Sequence, residues 1–324
     1  MGYLILDDIA HINDDIHQKH KATELNVDDV LLNITGASIG RTAIATKEVE
    51  SGNVNQHVCI IRANSKISPK FLCNYIQTKK IQNYIQSLQT GGSREGLNFE
   101  QIRSFPISLP QIAEQNKIAQ LLDKINERIA TQNKIIDKLQ SLIRGIRNDV
   151  FGKIRKSVGL NAMIGDVLSY EQPQSYIVED TEYTAEGTPV LTANKAFVLG
   201  YTSETDGIYD KGDCIIFDDF TLDCKYVDFP FKVKSSAIKI LTAKDKELLR
   251  YTFEFMKYLD LSTDEHKRHY IAETQNQELI LPTVQVVRTI AHAFSALSSR
   301  METVTKQIDM FELQKQYLLR QMFI

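Results

Sequence analysis

Apolar residues recur at alternating steps of three and four between residues 118 and 150. This spacing predicts one long helix whose apolar seam packs against a second helix. Gln132 is the single polar residue in the seam. The seam positions are Ile118, Leu122, Ile125, Ile129, Gln132, Ile136, Leu139, Ile143, Ile146 and Val150.

The same pattern returns 172 residues later, in phase and without a gap. Matches outside the seam include Phe151 with Phe323, and residues 107–110 with residues 279–282. Lys315 is the one charged position of the second seam, and it either sets the helix register, as Gln132 could, or extends to solvent. The second seam is Ile290, Phe294, Leu297, Met301, Val304, Ile308, Phe311, Lys315, Leu318 and Met322.

The repeat divides the chain into globule, helix, globule and helix. We predict globules at residues 1–110 and 153–282, and helices at 111–152 and 283–324. Glu114 suits the start of the first helix, and Gly152 is placed where a helix-ending glycine would be. A helix of about 40 residues is roughly 60 Å long, which suits a spacer better than a surface helix of an ordinary bundle.

Both globules mix short strands with a helix, so the predicted fold class is α+β. Strands are expected at residues 28–34, 42–45 and 58–61, followed by a helix over 69–88, and residues 211–217, 237–241 and 248–261 repeat this order. The second globule is longer at its front, because residues 164–188 have no counterpart. We therefore expect the first globule to lack an opening strand or two.

Composition narrows the function only slightly. A net charge of −3 argues against a nonspecific nucleic-acid binder but allows local basic patches. No stretch approaches the roughly 20 apolar residues of a membrane span. The four cysteines, Cys59, Cys73, Cys214 and Cys224, form no metal or redox motif, which indicates buried thiols in a reducing cytoplasm.

Two stretches of the first globule resemble a known family. Residues 91–93, followed by Ile107-Ser108-Leu109-Pro110-Gln111-Ile112-Ala113-Glu114-Gln115 and Ile118-Ala119-Gln120-Leu121-Leu122, resemble the exit from a recognition domain into a spacer helix. Residues 29–31 with Gly36-Ala37-Ser38-Ile39-Gly40-Arg41 resemble the interior of that domain. The family is the specificity subunit of Type I restriction–modification systems. The second copy departs from it locally, with Val286-Val287 in place of Glu114-Gln115.

The resemblance implies two target-recognition domains separated by a long antiparallel two-helix coiled coil. Each domain would contact one half of a bipartite site in double-stranded DNA, and the helices would set the gap, at most about 17 base pairs for roughly 60 Å. Methyltransferase subunits carrying S-adenosylmethionine would bind beside the helices, and a motor-nuclease subunit using ATP and Mg would join them. The chain itself would hold no cofactor or metal and would carry out no catalytic step.

Loop residues with amide, hydroxyl or cationic side chains are the candidates for DNA contact. Arginine pairs with guanine and asparagine or glutamine with adenine, whereas lysines contact phosphate. For each residue the alternative is an ordinary solvated loop position, and Arg41, Arg94 and Arg268 are the strongest. The candidates are Thr35, Ser38, Arg41, Asn53, Asn55, Gln56, Ser93, Arg94, Asn194, Lys195, Lys225, Lys232, Lys234, Ser235, Ser236, Lys267, Arg268 and His269.

Two alternatives from other classes stay open. A coiled-coil scaffold with protein-binding globules would show the same helix pattern. A metal-dependent nuclease would need carboxylates and a lysine together, for which Asp210 or Asp213 with Asp223 and Lys225 are a faint match. His266 and His269 lack a second ligand pair at zinc spacing.

Overall fold

The computed structural model describes residues 4, 6–7, 9–89, 96–193, 196–263, 265 and 267–323. The chain forms two compact units. Unit 1 comprises Met1–Ile135 and Val304–Ile324, and unit 2 comprises Ile136–Thr303. Each unit thus combines one predicted globule with part of both long helices, a grouping that the division into four segments did not predict.

The first part of the chain supplies a small sheet and a set of helices. The elements, in chain order, are α1 (Asp14–Lys19), β1 (Val30–Asn33), β2 (Thr42–Ile44), β3 (Val58–Ile61), α2 (Pro69–Ile76), α3 (Lys79–Ser87), α4 (Phe99–Arg103) and the long α5 (Ile112–Ser157). The sheet has the order β2-β1-β3, with antiparallel pairs. The three strands confirm the prediction.

Alternation along β1 separates the two faces of this sheet. Val30 and Leu32 are fully buried in a core shared with α2 and α3, whereas Leu31 points to the opposite face. The predicted single helix over 69–88 is wrong, because it is broken between Ile76 and Lys79. Thr78 caps α3 by accepting a hydrogen bond from the backbone N–H of Ile81, and this polar stop interrupts an otherwise continuous apolar pattern.

The second part of the chain is richer in strands. Its elements are β4 (Ala162–Met163), α6 (Ile164–Val167), β5 (Leu168–Glu171), β6 (Thr188–Leu191), β7 (Val198–Thr202), β8 (Cys214–Asp218), β9 (Cys224–Val227), β10 (Lys232–Val233), β11 (Ile238–Ala243), α7 (Lys246–Leu259), β12 (Glu278–Leu279) and the long α8 (Val284–Met322). The main sheet has the order β5-β11-β8-β9, a second sheet has the order β10-β6-β7, and β12 pairs with β4. The helix predicted over 248–261 corresponds to α7.

The main sheets of the two units share a frame. Central β1 corresponds to β8, β2 to β9 and β3 to β11, with antiparallel pairs in both units. Strand β5 adds to the outer side of β11, and within the described part of unit 1 no strand pairs with the corresponding side of β3. That the first globule is shorter at its front stays a prediction.

A tyrosine in each unit ties the short-helix layer to the chain segment that leads into a long helix. The Tyr75 hydroxyl accepts from the Ser108 N–H at 3.0 Å, and the Tyr251 hydroxyl donates to the Ile280 carbonyl at 2.7 Å. Both rings also meet a phenylalanine edge-on: Phe323 lies 5.3 Å from Tyr75, and Phe151 lies 5.4 Å from Tyr251.

Helices α5 and α8 pair antiparallel within each unit, as predicted. In unit 1, Arg128 lies 5.6 Å above the Phe311 ring, while Leu122, nearer the start of α5, shares a core with Leu319 from the end of α8. In unit 2, Arg147 lies 5.9 Å above Phe294, and later in α5 Phe151 shares a core with Ile290, which lies earlier in α8.

The predicted seam is confirmed: its named apolar positions are all buried or half-buried. The predicted end of the first helix is wrong. Gly152 lies inside α5, which continues to Ser157, and Gly159 with φ +78° follows its end. Burial of Phe151 favours continuing the helix over the modest cost of an internal glycine.

All four cysteines are buried and unpaired. Burial raises the pKa of the Cys214 and Cys224 thiols to about 12, so these two thiols are protonated and unreactive. Among the described residues, no helix is both long and apolar enough to cross a membrane.

Candidate nucleic-acid interface

In unit 1, two loops meet at one end of the sheet. Strand β1 ends there at Asn33, and β2 and β3, which run antiparallel to it, begin there at Thr42 and Val58. The loops of residues 34–41 and 45–57 therefore converge. They carry six of the predicted contact residues, which are Thr35, Ser38, Arg41, Asn53, Asn55 and Gln56.

Side chains at this end form a connected polar surface. The Thr35 hydroxyl lies 2.6 Å from Nδ1 of His57, and the Gln56 amide nitrogen lies 3.2 Å from Nε2 of the same ring. Arg41, Asn55, Gln56 and His57 are exposed, while Thr35 is half-buried. Exposed amide and guanidinium groups held in one patch are the groups that bind base edges.

The loop carrying Ser38 and Arg41 is held by a glutamine from α3. The Gln82 amide donates to the carbonyl of Gly40 at 3.0 Å and to that of Ile76 at 2.7 Å. Gly40 has φ +84°, and a Cβ at this position would lie 2.7 Å from the Gln82 Oε1. The left-handed backbone conformation therefore favours glycine here, and a larger residue would also displace the end of the Gln82 side chain.

Asn53 has a structural role. Its side-chain nitrogen donates to the His20 carbonyl and the Thr23 hydroxyl, both at 3.0 Å, and its oxygen lies 2.7 Å from Nδ1 of His17. The amide is thus occupied by the protein. This argues against the predicted DNA contact at Asn53.

In unit 2, the equivalent end of the main sheet is built by the same backbone hydrogen bonds. In unit 1 the backbone N–H of Asn33 donates to the carbonyl of Arg41. The N–H of Ile34 donates to the carbonyl of His57, and the N–H of Leu97 donates to the carbonyl of Ile34. In unit 2 the backbone N–H groups of Asp218, Asp219 and His269 donate in the same way. Their acceptors are the backbone carbonyls of Asp223, Ala237 and Asp219, respectively. The candidate residues near these bonds, Lys225, Ser235, Ser236 and Arg268, therefore occupy the same end of the frame as those of unit 1.

Charge at this end of unit 2 is partly neutralised. Lys225 is half-buried and lies 3.4 Å from Asp223. Lys267 pairs with Glu265 and with Glu273, and hydrogen bonds to these two carboxylates raise the Lys267 pKa. Both lysines are paired with carboxylates, which weakens them as phosphate contacts. Lys234 and Arg268 are exposed.

Two predicted contact residues of unit 2 are buried. Neither side chain lies on the surface, where a DNA contact would have to form. Lys232 is 3% exposed, pairs with Glu204 and donates to the Asp206 carbonyl at 2.7 Å. His269 is 1% exposed, and its Nδ1 lies 2.8 Å from Glu273, which raises the His269 pKa. We remove both from the candidate set. Ser93, Arg94, Asn194 and Lys195 lie outside the described residues.

Sequence reasoning missed two exposed rings at these ends. His57 follows Gln56 directly and precedes β3, so its position beside a predicted contact residue was a usable signal. Phe220, 36% exposed, sits in the turn between β8 and β9, where an aromatic residue between polar neighbours marks an unusual surface position.

The acidic residues of the nuclease alternative are not brought together. Asp213 precedes β8 and binds the Tyr226 hydroxyl at 2.6 Å, whereas Asp223 lies at the opposite end of the β8–β9 pair and contacts Lys257 at 3.2 Å. Within the described ranges, no three His, Cys, Asp or Glu side chains are grouped as metal ligands. This arrangement gives the nuclease alternative no support.

A profile of the family described as the Type I restriction modification DNA specificity domain matches residues 5–141. This stretch of the chain is therefore similar to a specificity domain of that family. The match contains the loops at the sheet end of unit 1 and the first part of α5. The resemblance noted from the sequence is confirmed for this part of the chain.

Specificity subunits are also the relatives found by whole-sequence comparison. The chain is 44% identical over 126 residues to the EcoR124I/EcoR124II Type I restriction enzyme specificity subunit of Escherichia coli, covering 37% of this chain and 31% of that subunit. It is 23% identical over 159 residues to the EcoBI specificity subunit of the same organism, covering 47% of this chain and 32% of the relative. The matched segments therefore span about a third of the length of these relatives.

The fold extends the likeness beyond the matched segments. The crystal structure of a Type I restriction–modification system S subunit from M. genitalium superposes with a TM-score of 0.61 at 16% identity, covering 92% of this chain and 83% of that one. At this identity the likeness concerns the fold. It includes the region in which the specificity-domain profile finds no match.

Proposed function

We propose that this protein is the DNA-recognition subunit of a Type I restriction–modification complex, with each unit contacting one half of a bipartite DNA site. The observation that carries the proposal is the repeated sheet end. The same three backbone hydrogen bonds hold exposed polar loops in both units, while the residues on those loops differ. One frame with two different surfaces suits a target made of two unlike halves.

The long helices support the remainder of the proposal. Helix α5 and helix α8 each contribute residues to both units, and their seam is buried or half-buried throughout. We propose that they set the gap between the half-sites and offer their outer faces to methyltransferase subunits. In this proposal adenine methylation and cleavage, with S-adenosylmethionine, ATP and Mg, belong to partner subunits and not to this chain.

The test is a methylation map. The protein is expressed with its methyltransferase subunit, and methylated adenines are located across a genome that lacks other modification systems. The expected result is one motif made of two defined halves separated by a fixed gap. Methylation at a continuous site, or at none, would contradict the proposal.

Two variants make the test specific to the surface described above. Arg41→Ala should relax the motif in one half only, because this exposed guanidinium lies at the sheet end of unit 1. Lys234→Ala should weaken DNA binding by the complex about equally for all sequences and reduce the salt dependence by about one ion. Lys153→Ala is the control, since Lys153 forms an exposed pair with Asp149 on α5.

The scaffold alternative makes the opposite prediction. A complex whose binding to DNA is absent, or is insensitive to both salt and sequence, would favour protein-binding globules joined by a coiled coil.

A further inference from the structure

Arg268 and Phe220 form an exposed pair at the sheet end of unit 2. The guanidinium carbon of Arg268 lies 5.9 Å from the centre of the Phe220 ring, within the range of a cation–π contact. The Arg268 side chain is 50% exposed and Phe220 is 36% exposed. Both the guanidinium and the ring of this pair remain accessible to a ligand.

Asp219 connects the two chain segments that carry this pair. Its side chain is almost fully buried, and its Oδ1 accepts from the backbone N–H groups of His269 at 3.1 Å and Tyr270 at 2.8 Å. Its Oδ2 lies 3.4 Å from Nζ of Lys239. These contacts fix the chain at residues 268–270 against the turn that carries Phe220.

The same carboxylate lies near Arg268. Oδ2 of Asp219 is 3.9 Å from Nη1 of Arg268, which is beyond hydrogen-bond distance, so it attracts the guanidinium electrostatically, and the Phe220 ring lies within cation–π range of the same group. A side chain restrained in this way loses less conformational freedom on binding. A guanidinium presents two N–H donors side by side, and in the major groove guanine alone offers two acceptors, N7 and O6, at the matching spacing.

Unit 1 lacks this arrangement although it has the same frame. Through the shared backbone hydrogen bonds, Asp219 corresponds to Ile34, Phe220 to Thr35 and Arg268 to Gly96. Thr35 and Gly96 form an isolated antiparallel β-bridge at the position that the Arg268–Phe220 pair occupies in unit 2. The arrangement of Arg268 with Phe220 and Asp219 is therefore specific to unit 2. This is expected of a residue that selects a base, whereas a residue that maintains the shared sheet would recur in both units.

We propose that Arg268, held by Asp219 and Phe220, selects a guanine in the half-site contacted by unit 2. This inference rests on the proposed function and adds one base identity and one responsible side chain. If Arg268 contacted a phosphate instead, its replacement would weaken binding to every sequence equally.

The experiment is a selection from randomised DNA with the complete complex of this chain and its methyltransferase subunit, at one salt concentration. The variants are Arg268→Lys, which keeps the charge and removes the paired donors, and Phe220→Leu, which removes the ring. Arg268→Lys should reduce the preference for guanine at one position of one half-site by roughly 10- to 100-fold. Phe220→Leu should reduce the same preference a few-fold, because it loosens the guanidinium without removing it.

Two controls separate this result from general effects. Arg288→Lys, at an exposed position of α8, should leave the selected motif unchanged. Arg41→Lys should alter the other half-site and leave this guanine in place. Thermal unfolding followed by circular dichroism should show the same midpoint for Arg268→Lys and the unmodified chain.

Each outcome is decisive. A motif that Arg268→Lys leaves unchanged, or a uniform loss of binding to all sequences, would overturn this inference while leaving the proposed function intact. A wild-type complex that selects no sequence would overturn the proposed function and this inference with it.

Discussion

The two units keep one face of their main sheet alike and differ on the other. The face toward the helices is apolar in both: Val30 and Leu32 of unit 1 match Ile215 and Phe217 of unit 2, and all four are fully buried. On the opposite face, unit 2 adds a second layer that includes the sheet of β6, β7 and β10 and buries Ile216 and Ile240.

In the described part of unit 1, that opposite face carries a small apolar cluster that includes Leu25, Leu31 and Ala45. A groove of about 720 Å³ runs along it, lined by Leu25, Leu31, Ala43 and Val58 among others. The contrast teaches that the helix-facing half of each unit is the constant part of the repeat. The strands beyond it vary, and with them the loops at the sheet end.

The largest effect is expected where this constant part is densest. Phe151 is fully buried against the rings of Tyr251, Phe255 and Tyr258. Phe151→Ala should lower the free energy of unfolding by about 3–5 kcal/mol. Phe323→Ala, the equivalent change in unit 1, should cost about 3 kcal/mol, because Phe323 meets fewer rings.

Urea unfolding can be followed by tyrosine fluorescence, since the chain has 13 tyrosines and no tryptophan. Hydrogen exchange then locates each effect in its own unit. Leu142→Ala, at a 49% exposed position of α5, is the control and should change stability by less than about 0.5 kcal/mol. Costs below about 1 kcal/mol for both phenylalanines would show that the ends of the long helices do not pack in the units as described.

A buried ionic cluster distinguishes unit 2 from unit 1. Glu254, 1% exposed, accepts from Arg147 at 2.7 Å and from Arg250 at 2.8 Å. Leu319 occupies the position of Arg147 in the other repeat. Glu254→Gln should cost about 3 kcal/mol, because it leaves two largely buried guanidinium groups without their carboxylate.

The matched control for that change is Glu247→Gln. Glu247 lies 3.7 Å from His292 on an exposed surface, so its loss should be nearly neutral. If Glu254→Gln were equally mild, the two arginines would have to be stabilised by contacts other than this carboxylate.

Replacing Lys315 should raise the free energy of unfolding, whereas the changes above lower it. Lys315 is 6% exposed, and burial lowers its pKa, so the fold destabilises its charged form despite the nearby Asp123 and Glu312. Ile143 occupies this position in the other repeat. Lys315→Ile should therefore stabilise unit 1 by about 1–2 kcal/mol near neutral pH.

The pH dependence checks this reason. Because the folded-state pKa of Lys315 lies below its unfolded value of 10.5, the unfolded chain binds more protons between the two values, and wild-type stability from this group rises with pH there. The advantage of Lys315→Ile should shrink as pH rises toward 10.5. An advantage that does not change with pH would contradict desolvation as the cause. The reciprocal Ile143→Lys should destabilise unit 2.

The smallest effect concerns His269, whose counterpart in unit 1 is the buried Leu97. The hydrogen bond to Glu273 raises the pKa of His269 above its usual 6.5. The stability that this pair contributes is thus complete below the unfolded pKa and is lost as pH rises through the folded one. His269→Leu should remove that part of the pH dependence, measured as thermal midpoints from mildly acidic to mildly alkaline pH. Leu142→Ala, at an exposed position of α5 without a titratable group, should leave the slope unchanged, and equal slopes in all three proteins would contradict the assignment.

Periodic patterns in the sequence were enough to predict the long helices and the main strands. A seam of 33 residues leaves little choice of structure, because each step of three or four residues repeats the same constraint. The errors lie where one side chain decides. Thr78 stops a helix by a single capping bond, and Phe151 carries α5 through Gly152 by burial, a tertiary effect that local signals do not show.

The candidate site was predictable in location but less so in membership. Loops between strands identified the sheet ends, since polar residues cluster where antiparallel strands turn. Lys232 and His269 were misassigned because their partners, Glu204 and Glu273, become visible only once the chain is folded. Phe220 was missed because an aromatic residue between polar neighbours marks an unusual position without showing its partner, Arg268, which is distant in sequence.

The three backbone hydrogen bonds that support each sheet end make its loops separable from the rest. A transplanted segment with the same two attachment points would meet the same donors and acceptors in either unit, whatever its side chains. Chimeras in which residues 219–222 replace residues 34–40 should fold once a lysine equivalent to Lys239 is moved with the segment, because the Asp219 carboxylate is buried beside it.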